Sequence, residues 1–154
     1  MTPQKSSIPF TAKVLIWLQA LLGFGAVVSG AILMISPDGS LMQMPLDVIG
    51  GAPFNSFFFP GLILFVLLGI FSLCIAYGLW KHPGWSWPNL INPFKSTHWS
   101  WAGSLASGII VSIWLSVELI WASIFILHYI YYVWSGLIIL FTLIPSTHRF
   151  NQIK

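Results

Sequence analysis

Residues 99–145 read WSWAGSLASGIIVSIWLSVELIWASIFILHYIYYVWSGLIILFTLIP, 47 residues in which Glu118 is the only Asp, Glu, Lys or Arg. As one helix this stretch would be about 70 Å long at 1.5 Å per residue. That is more than twice the roughly 30 Å hydrocarbon thickness of a bilayer. The stretch therefore reads as two membrane spans, 101–120 and 124–144. The turn joining them lies between Glu118 and His128, with no Gly or Pro to mark it.

Working outward, residues 81–100 form a connecting loop with Pro83, Pro88 and Pro93. Its tryptophans Trp85, Trp87 and Trp99, with Trp101 just beyond it, suit the headgroup region, where the ring is apolar and the indole N–H stays wet. Before it, the run 60–80 opens on Pro60, a residue welcome in the first helical turn because the N–H it lacks has no partner there. A loop over 36–59 holds Asp38 and Asp47 but no Lys or Arg, and it follows an uncharged run, 14–35. Lys5 and Lys13 ahead of that run resemble a signal peptide. A cleavable apolar region is only about 7–15 residues long, however, so the run reads as a retained span.

Four spans put both termini on one side, and the charges sort with them. Lys5, Lys13, Lys81, Lys95, Arg149 and Lys154 all fall on that side, and Asp38 and Asp47 fall on the other. By the positive-inside rule the first side is cytoplasmic. The expectation is an all-α integral membrane four-helix bundle, N-in and C-in, forming a single domain over 1–154.

Composition agrees. A soluble domain carries about 25% charged residues; here the share is 6%, with 57% hydrophobic residues and a mean hydropathy of +0.89. So few charges cannot wet a globular surface, and lipid is the expected solvent. The basic excess is no nucleic-acid signal, because no two basic residues lie closer than five apart. The lone Cys74 excludes an intrachain disulfide and a CxxC motif. There is no Walker A loop, no G-x-S-x-G and no dinucleotide fingerprint.

The loop carries a pattern: Ser36-Pro37-Asp38-Gly39-Ser40, Pro45-Leu46, Gly50, Pro53-Phe54 and Pro60-Gly61 with Leu64. It resembles a group of small, functionally uncharacterised four-span bacterial membrane proteins with D-x-G/S…P-L…G-x-P-F…PG-x-x-L between their first two spans. The stretch Ile113-Trp114-x3-Glu118 is similar to that group's third span. The resemblance implies the four-span architecture and a bacterial cytoplasmic membrane. It implies no activity for any residue.

Glu118 is the first candidate for chemistry, since ionisable groups kept within spans usually face a bundle interior or a water path. On a helix it shares a face with Val111, Trp114, Leu115 and Trp121. Ser104, Gly108, Ser112 and Ser116 recur every fourth position on another face, and Ala26 and Gly30 make a similar pair in the first span; both suit close helix packing. His128, Tyr132, Ser135 and Thr142 form a polar stripe on the fourth span, expected to face inward with His128 near Glu118. Glu118 and His128 could bind a cation, shuttle protons, orient a substrate or simply hold the hairpin. Asp47 or Asn55 of the outer loop could join them. His82, His98 and His148 lack a zinc spacing, and no metal or cofactor is expected.

Three functions compete. The leading one is a non-catalytic accessory subunit or helper, in contact with the bilayer and with another membrane protein or with itself. The second is an oligomeric small-solute or proton-coupled transporter using Glu118. The third is a membrane enzyme acting on a lipid or quinone-like molecule through Glu118, His128 and Asp47. An enzyme should bring those three polar groups to one point.

Overall fold

A computed structural model describes residues 7–153 of the chain; Lys5 and Lys154 lie outside the described residues. Among the described residues six α-helices follow one another, with two short 3-10 turns (Ser40–Met42 and Leu46–Ile49) between the first two: α1 (Phe10–Ile35), α2 (Phe58–Lys81), α3 (Ser86–Ile91), α4 (Trp99–Glu118), α5 (Ile126–Leu143) and α6 (Pro145–Phe150). By length and hydropathy, α1, α2, α4 and α5 are each able to cross a membrane, so this is a multi-pass membrane protein. The four pack together as an antiparallel all-α bundle.

Local chemistry sets the helix ends. Pro9 precedes α1 in an extended conformation, and α1 begins a turn ahead of the uncharged run, so Lys13 lies within it. α2 stops at His82, which takes a left-handed conformation (φ 46°) just before Pro83. His98 caps α4 by accepting the Ser100 N–H on its side chain. Pro145 opens α6. The connection between α4 and α5, residues 119–125, is a turn without Gly or Pro, stapled by hydrogen bonds from the N–H groups of Trp121 and Ala122 to the Glu118 carbonyl.

α1 and α2 meet backbone to backbone. Gly23 lies against the Gly69 carbonyl, and Gly30 against Gly61 and Phe65. Without side chains at these points the helices approach more closely than Leu or Val would allow, which is how spans associate where lipid competes equally for apolar contact. Within α2, residues Leu64–Ile70 form a π turn, with hydrogen bonds from i to i+5.

α4 and α5 are joined differently. The Ser104–Gly108–Ser112–Ser116 stripe of α4 meets the Tyr132–Ser135–Thr142 stripe of α5. Ser104 bonds Thr142 at 2.9 Å, Ser112 bonds Ser135 at 2.9 Å, and Ser116 bonds the Tyr132 hydroxyl at 2.8 Å. Gly108 lies against Ile138, Ile139 and the Ser135 carbonyl. The two stripes are halves of one interface.

The two hairpins share a core around Leu15, Leu22, Ile75, Leu79, Val111, Leu115 and Ile138. At its centre the fully buried Gln19 of α1 donates to Ser104 Oγ and accepts from Ser107, both at 3.0 Å. Ser104 can then donate onward to Thr142, whose hydroxyl donates to the Ile138 carbonyl at 2.6 Å. Each hydroxyl hydrogen in this chain has an acceptor, as a buried polar chain in lipid requires.

At one end of the bundle Thr11 touches Ser146 and Thr147, and Trp99 covers Gly78. Lys13, Lys81, Lys95 and Arg149 gather there. At the opposite end the 36–59 loop, with Asp38 and Asp47, folds back over the helices. Ile49 and Phe57 of the loop bury themselves with Leu33 in a second small core.

Candidate functional site

The Ser-Pro-Asp-Gly-Ser stretch forms a tight knot at the end of α1. Asp38 Oδ1 accepts from the Ser36 hydroxyl at 2.5 Å, the Ser40 hydroxyl at 3.0 Å and the Ser40 N–H at 3.2 Å. The Ser36 hydroxyl first, then the Ser40 amide, holds the Asp38 carboxyl below its usual range. Gly39 has φ 78°, and a Cβ there would strike the Phe57 ring. The Phe57 N–H bonds the Pro37 carbonyl at 2.8 Å. The Ser36–Ser40 part of the loop pattern therefore builds a lid support, and the lid lies over a cavity.

That cavity, of about 510 Å³, sits between the hairpins at the loop end. Ligand sites commonly fall between about 300 and 1,000 Å³. Its wall is mostly apolar: Leu22, Ala26 and Leu33 of α1, Leu64 and Leu68 of α2, Val111, Trp114 and Leu115 of α4, and Met42, Met44, Ile49 and Phe57 of the lid. It exists because α4 packs against the later half of α2, from Phe71 onward, more than against the π turn, so the hairpins part toward the lid.

Glu118 and His128 both line this cavity. They come from either side of the α4–α5 turn, and His128 Nε2 stands 3.9 Å from Glu118 Oε2, beyond hydrogen-bond length. His128 is 8% exposed. Its Nδ1 accepts the Phe125 N–H at 3.1 Å, so in the neutral ring the proton is on Nε2. That Nε2 is buried and has no hydrogen-bond partner among the described residues. A buried donor left empty costs about 1–3 kcal/mol, and the residue that carries it lines a cavity large enough to hold an acceptor. Trp114, one turn before Glu118, brings its indole toward the same carboxylate.

The other residues singled out in the sequence lie elsewhere. The Tyr132 hydroxyl is engaged with Ser116 on the α4–α5 seam and does not line the cavity. Asp47 and Asn55 are exposed, and neither lines the cavity, although Pro45, Val48 and Ile49 do. Ala26 lines the cavity, whereas Gly30 is spent on Gly61. Ser104, Gly108 and Ser112 are consumed by α5. Sequence reading passed over Gln19, the partner of Ser104 and Ser107. Its signal was plain enough: an amide side chain inside an otherwise apolar span.

At the far end, the ring pairs His82–His98 and His148–Trp101 have centroids 4.8 and 4.9 Å apart. The Asn92 side-chain amide donates to the Thr97 carbonyl, and His82 Nε2 meets Asn151 Oδ1 at 2.9 Å. The His98 N–H bonds the Asn151 carbonyl and the Ile153 N–H bonds the Ser96 carbonyl, clasping the loop to the tail. His98 Nδ1 lies 2.7 Å from the Ser100 hydroxyl, and Nε2 lies 3.1 Å from the Pro83 carbonyl. Burial pushes the His98 ring below the ordinary imidazole range, and neighbouring His82 adds to this; the Pro83 carbonyl opposes it. No three His, Cys, Asp or Glu among the described residues are grouped to hold a metal ion.

No protein-family model matches the chain, nor does any curated protein or solved structure. The likeness to small four-span membrane proteins thus finds support in the four spans alone.

Proposed function

We propose that this membrane protein is a non-catalytic helper that takes one lipophilic molecule from the bilayer and holds it between its two hairpins. The observation that carries this reading is the cavity of about 510 Å³ whose apolar wall includes a buried, partnerless His128 Nε2 beside Glu118. An accessory subunit packed on a partner would need a free small-residue face, and the Ser104, Gly108, Ser112 and Gly30 positions are already occupied by the chain's own helices. A transporter would set Glu118 in a wet passage, whereas its surroundings are mostly hydrocarbon. An enzyme using Glu118, His128 and Asp47 together lacks convergence, because Asp47 stays in the exposed loop. The basic end, with Lys13, Lys81, Lys95 and Arg149, is placed in the cytoplasm by the positive-inside rule, which leaves the lid and cavity at the outer face of a bacterial inner membrane.

The test is native mass spectrometry of the protein released from lipid nanodiscs. One bound lipophile per chain is expected. Ala26→Phe and, independently, Ala122→Phe should abolish it by filling the cavity while the helical circular dichroism persists. Wild-type protein that never carries a lipophile, even when loaded with excess, would end this reading.

A further inference from the structure

We infer that the cavity selects a hydroxyl-headed lipophile, a long-chain or ring alcohol whose O–H sits between His128 and Glu118. This rests on the lipophile-binding reading above and specifies its head group.

The geometry decides the chemistry. His128 Nε2 can only donate, because Nδ1 is already the ring's acceptor for the Phe125 N–H. Glu118, as a carboxylate, can only accept. Their facing atoms are 3.9 Å apart. Nε2 is buried as the side chains stand, so the pair has to part slightly to admit an atom at about 2.8 Å from each. At 3.9 Å that atom would see them at roughly 90°, and parting widens this toward the tetrahedral angle of an sp³ oxygen. That atom has to accept from one side and donate to the other. A hydroxyl does both. An ammonium head could donate to Glu118 but would leave His128 Nε2 unmet and press a charge against it. An ether or ester oxygen could accept from His128 but would offer Glu118 nothing. A carboxylate or phosphate head would set like charge against Glu118. The rest of the wall offers no further acidic or basic group and, apart from Ser29, Gln43 and Tyr131, is apolar, so most of the remainder of the ligand is hydrocarbon.

A single water could satisfy the same two atoms, and the experiment must separate it from an alcohol. The protein in nanodiscs is titrated with 1-hexadecanol, its methyl ether and hexadecylamine, each displacing a pyrene-labelled fatty alcohol. Hexadecanol should bind at least tenfold more tightly than the ether, the cost of one unmet buried hydrogen-bonding group. In His128→Phe and Glu118→Leu the alcohol and the ether should bind within about twofold of each other. The nitrogen-15 resonance of His128 Nε2 in wild-type protein should move with hexadecanol and stay put with the ether. This readout needs no variant to fold. Equal affinity for alcohol and ether, with an unmoved resonance, means that the pair holds only water, and the head-group inference is overturned while lipophile binding stands. Preference for the amine overturns it in favour of a cation site. Failure of every probe, the labelled one included, strikes the lipophile reading itself.

Discussion

Gly30 and Gly61 face each other with no room for a side chain on either: a Cβ on Gly30 would lie 2.6 Å from the Gly61 carbonyl oxygen, and one on Gly61 would lie 2.9 Å from that of Gly30. Those carbonyls are backbone and cannot swing aside, and Gly61 is hemmed in further by the Leu33 Cβ at 2.8 Å, which is fixed to its own backbone. Gly30→Leu and Gly61→Leu should each destabilise the bundle by about 1–3 kcal/mol through overpacking. Gly136→Leu should be silent, because nothing lies within 4 Å of its Cβ position. Thermal unfolding in mild detergent, followed by circular dichroism, ranks the three.

Gln19 holds the hairpins together through Ser104 and Ser107, partners 85 and 88 positions away. Gln19→Leu removes both bonds from a buried site. Interhelical hydrogen bonds in membranes average about 0.6 kcal/mol, so a loss of roughly 1–2 kcal/mol is expected. Ser107→Ala in the Gln19→Leu background should then cost almost nothing, since its partner has already gone. Steric-trap unfolding of the four variants in a double-mutant cycle checks this.

The clasp at the basic end should loosen in acid. Folding holds the His98 ring below its ordinary pKa, so the folded state favours the neutral form. The sign follows: stability from this group is fully present above the unfolded value of about 6.5 and is lost as pH falls from there through the folded pKa. Protonation also ends the acceptance of the Ser100 N–H at Nδ1. Hydrogen exchange at the His98 and Ile153 amides, corrected for intrinsic rates, should therefore accelerate as pH falls below about 6.5. His98→Asn should flatten this dependence. An unchanged pH profile in the variant would show that another group controls the clasp.

Orientation is open to chemistry. In a Cys74→Ser background, Arg149→Cys should react with a membrane-impermeant maleimide only after the cells are opened. Asp38→Cys should react in intact cells. The reverse pattern would turn the molecule over and move the cavity to the cytoplasmic face.

How far the sequence led can be judged from particular residues. The spans were legible because the hydrocarbon core imposes a length that apolar runs either meet or miss, and the 47 residues around Glu118 met it twice. The serine stripe of α4 and the polar stripe of α5 were each legible as faces. That they were each other's partners was not, because periodicity names a face without naming what it meets. Glu118 and His128 were expected together for a local reason, the short turn between their helices. Tyr132 shared the His128 stripe, yet it lies one turn deeper, and Ser116 claims its hydroxyl. Asp47 depended on the path of an irregular loop, which residue pattern leaves undetermined. The cavity was invisible for a further reason: it arises from how far two hairpins part, a property of the assembly carried by no single stretch.

The π turn at Leu64–Ile70 holds one residue more than an α-helical turn would. Removing any one residue from Phe65 to Ile70 would let α2 relax to a regular helix and rotate its opening turns by ~100° against the rest. Gly61 would swing away from Gly30, and Pro60 and Leu64 would leave the cavity wall, although none of the three had been altered. This stretch should therefore accept exchanges among apolar residues during divergence and resist single deletions, behaving as a spacer whose length is under selection more than its spelling.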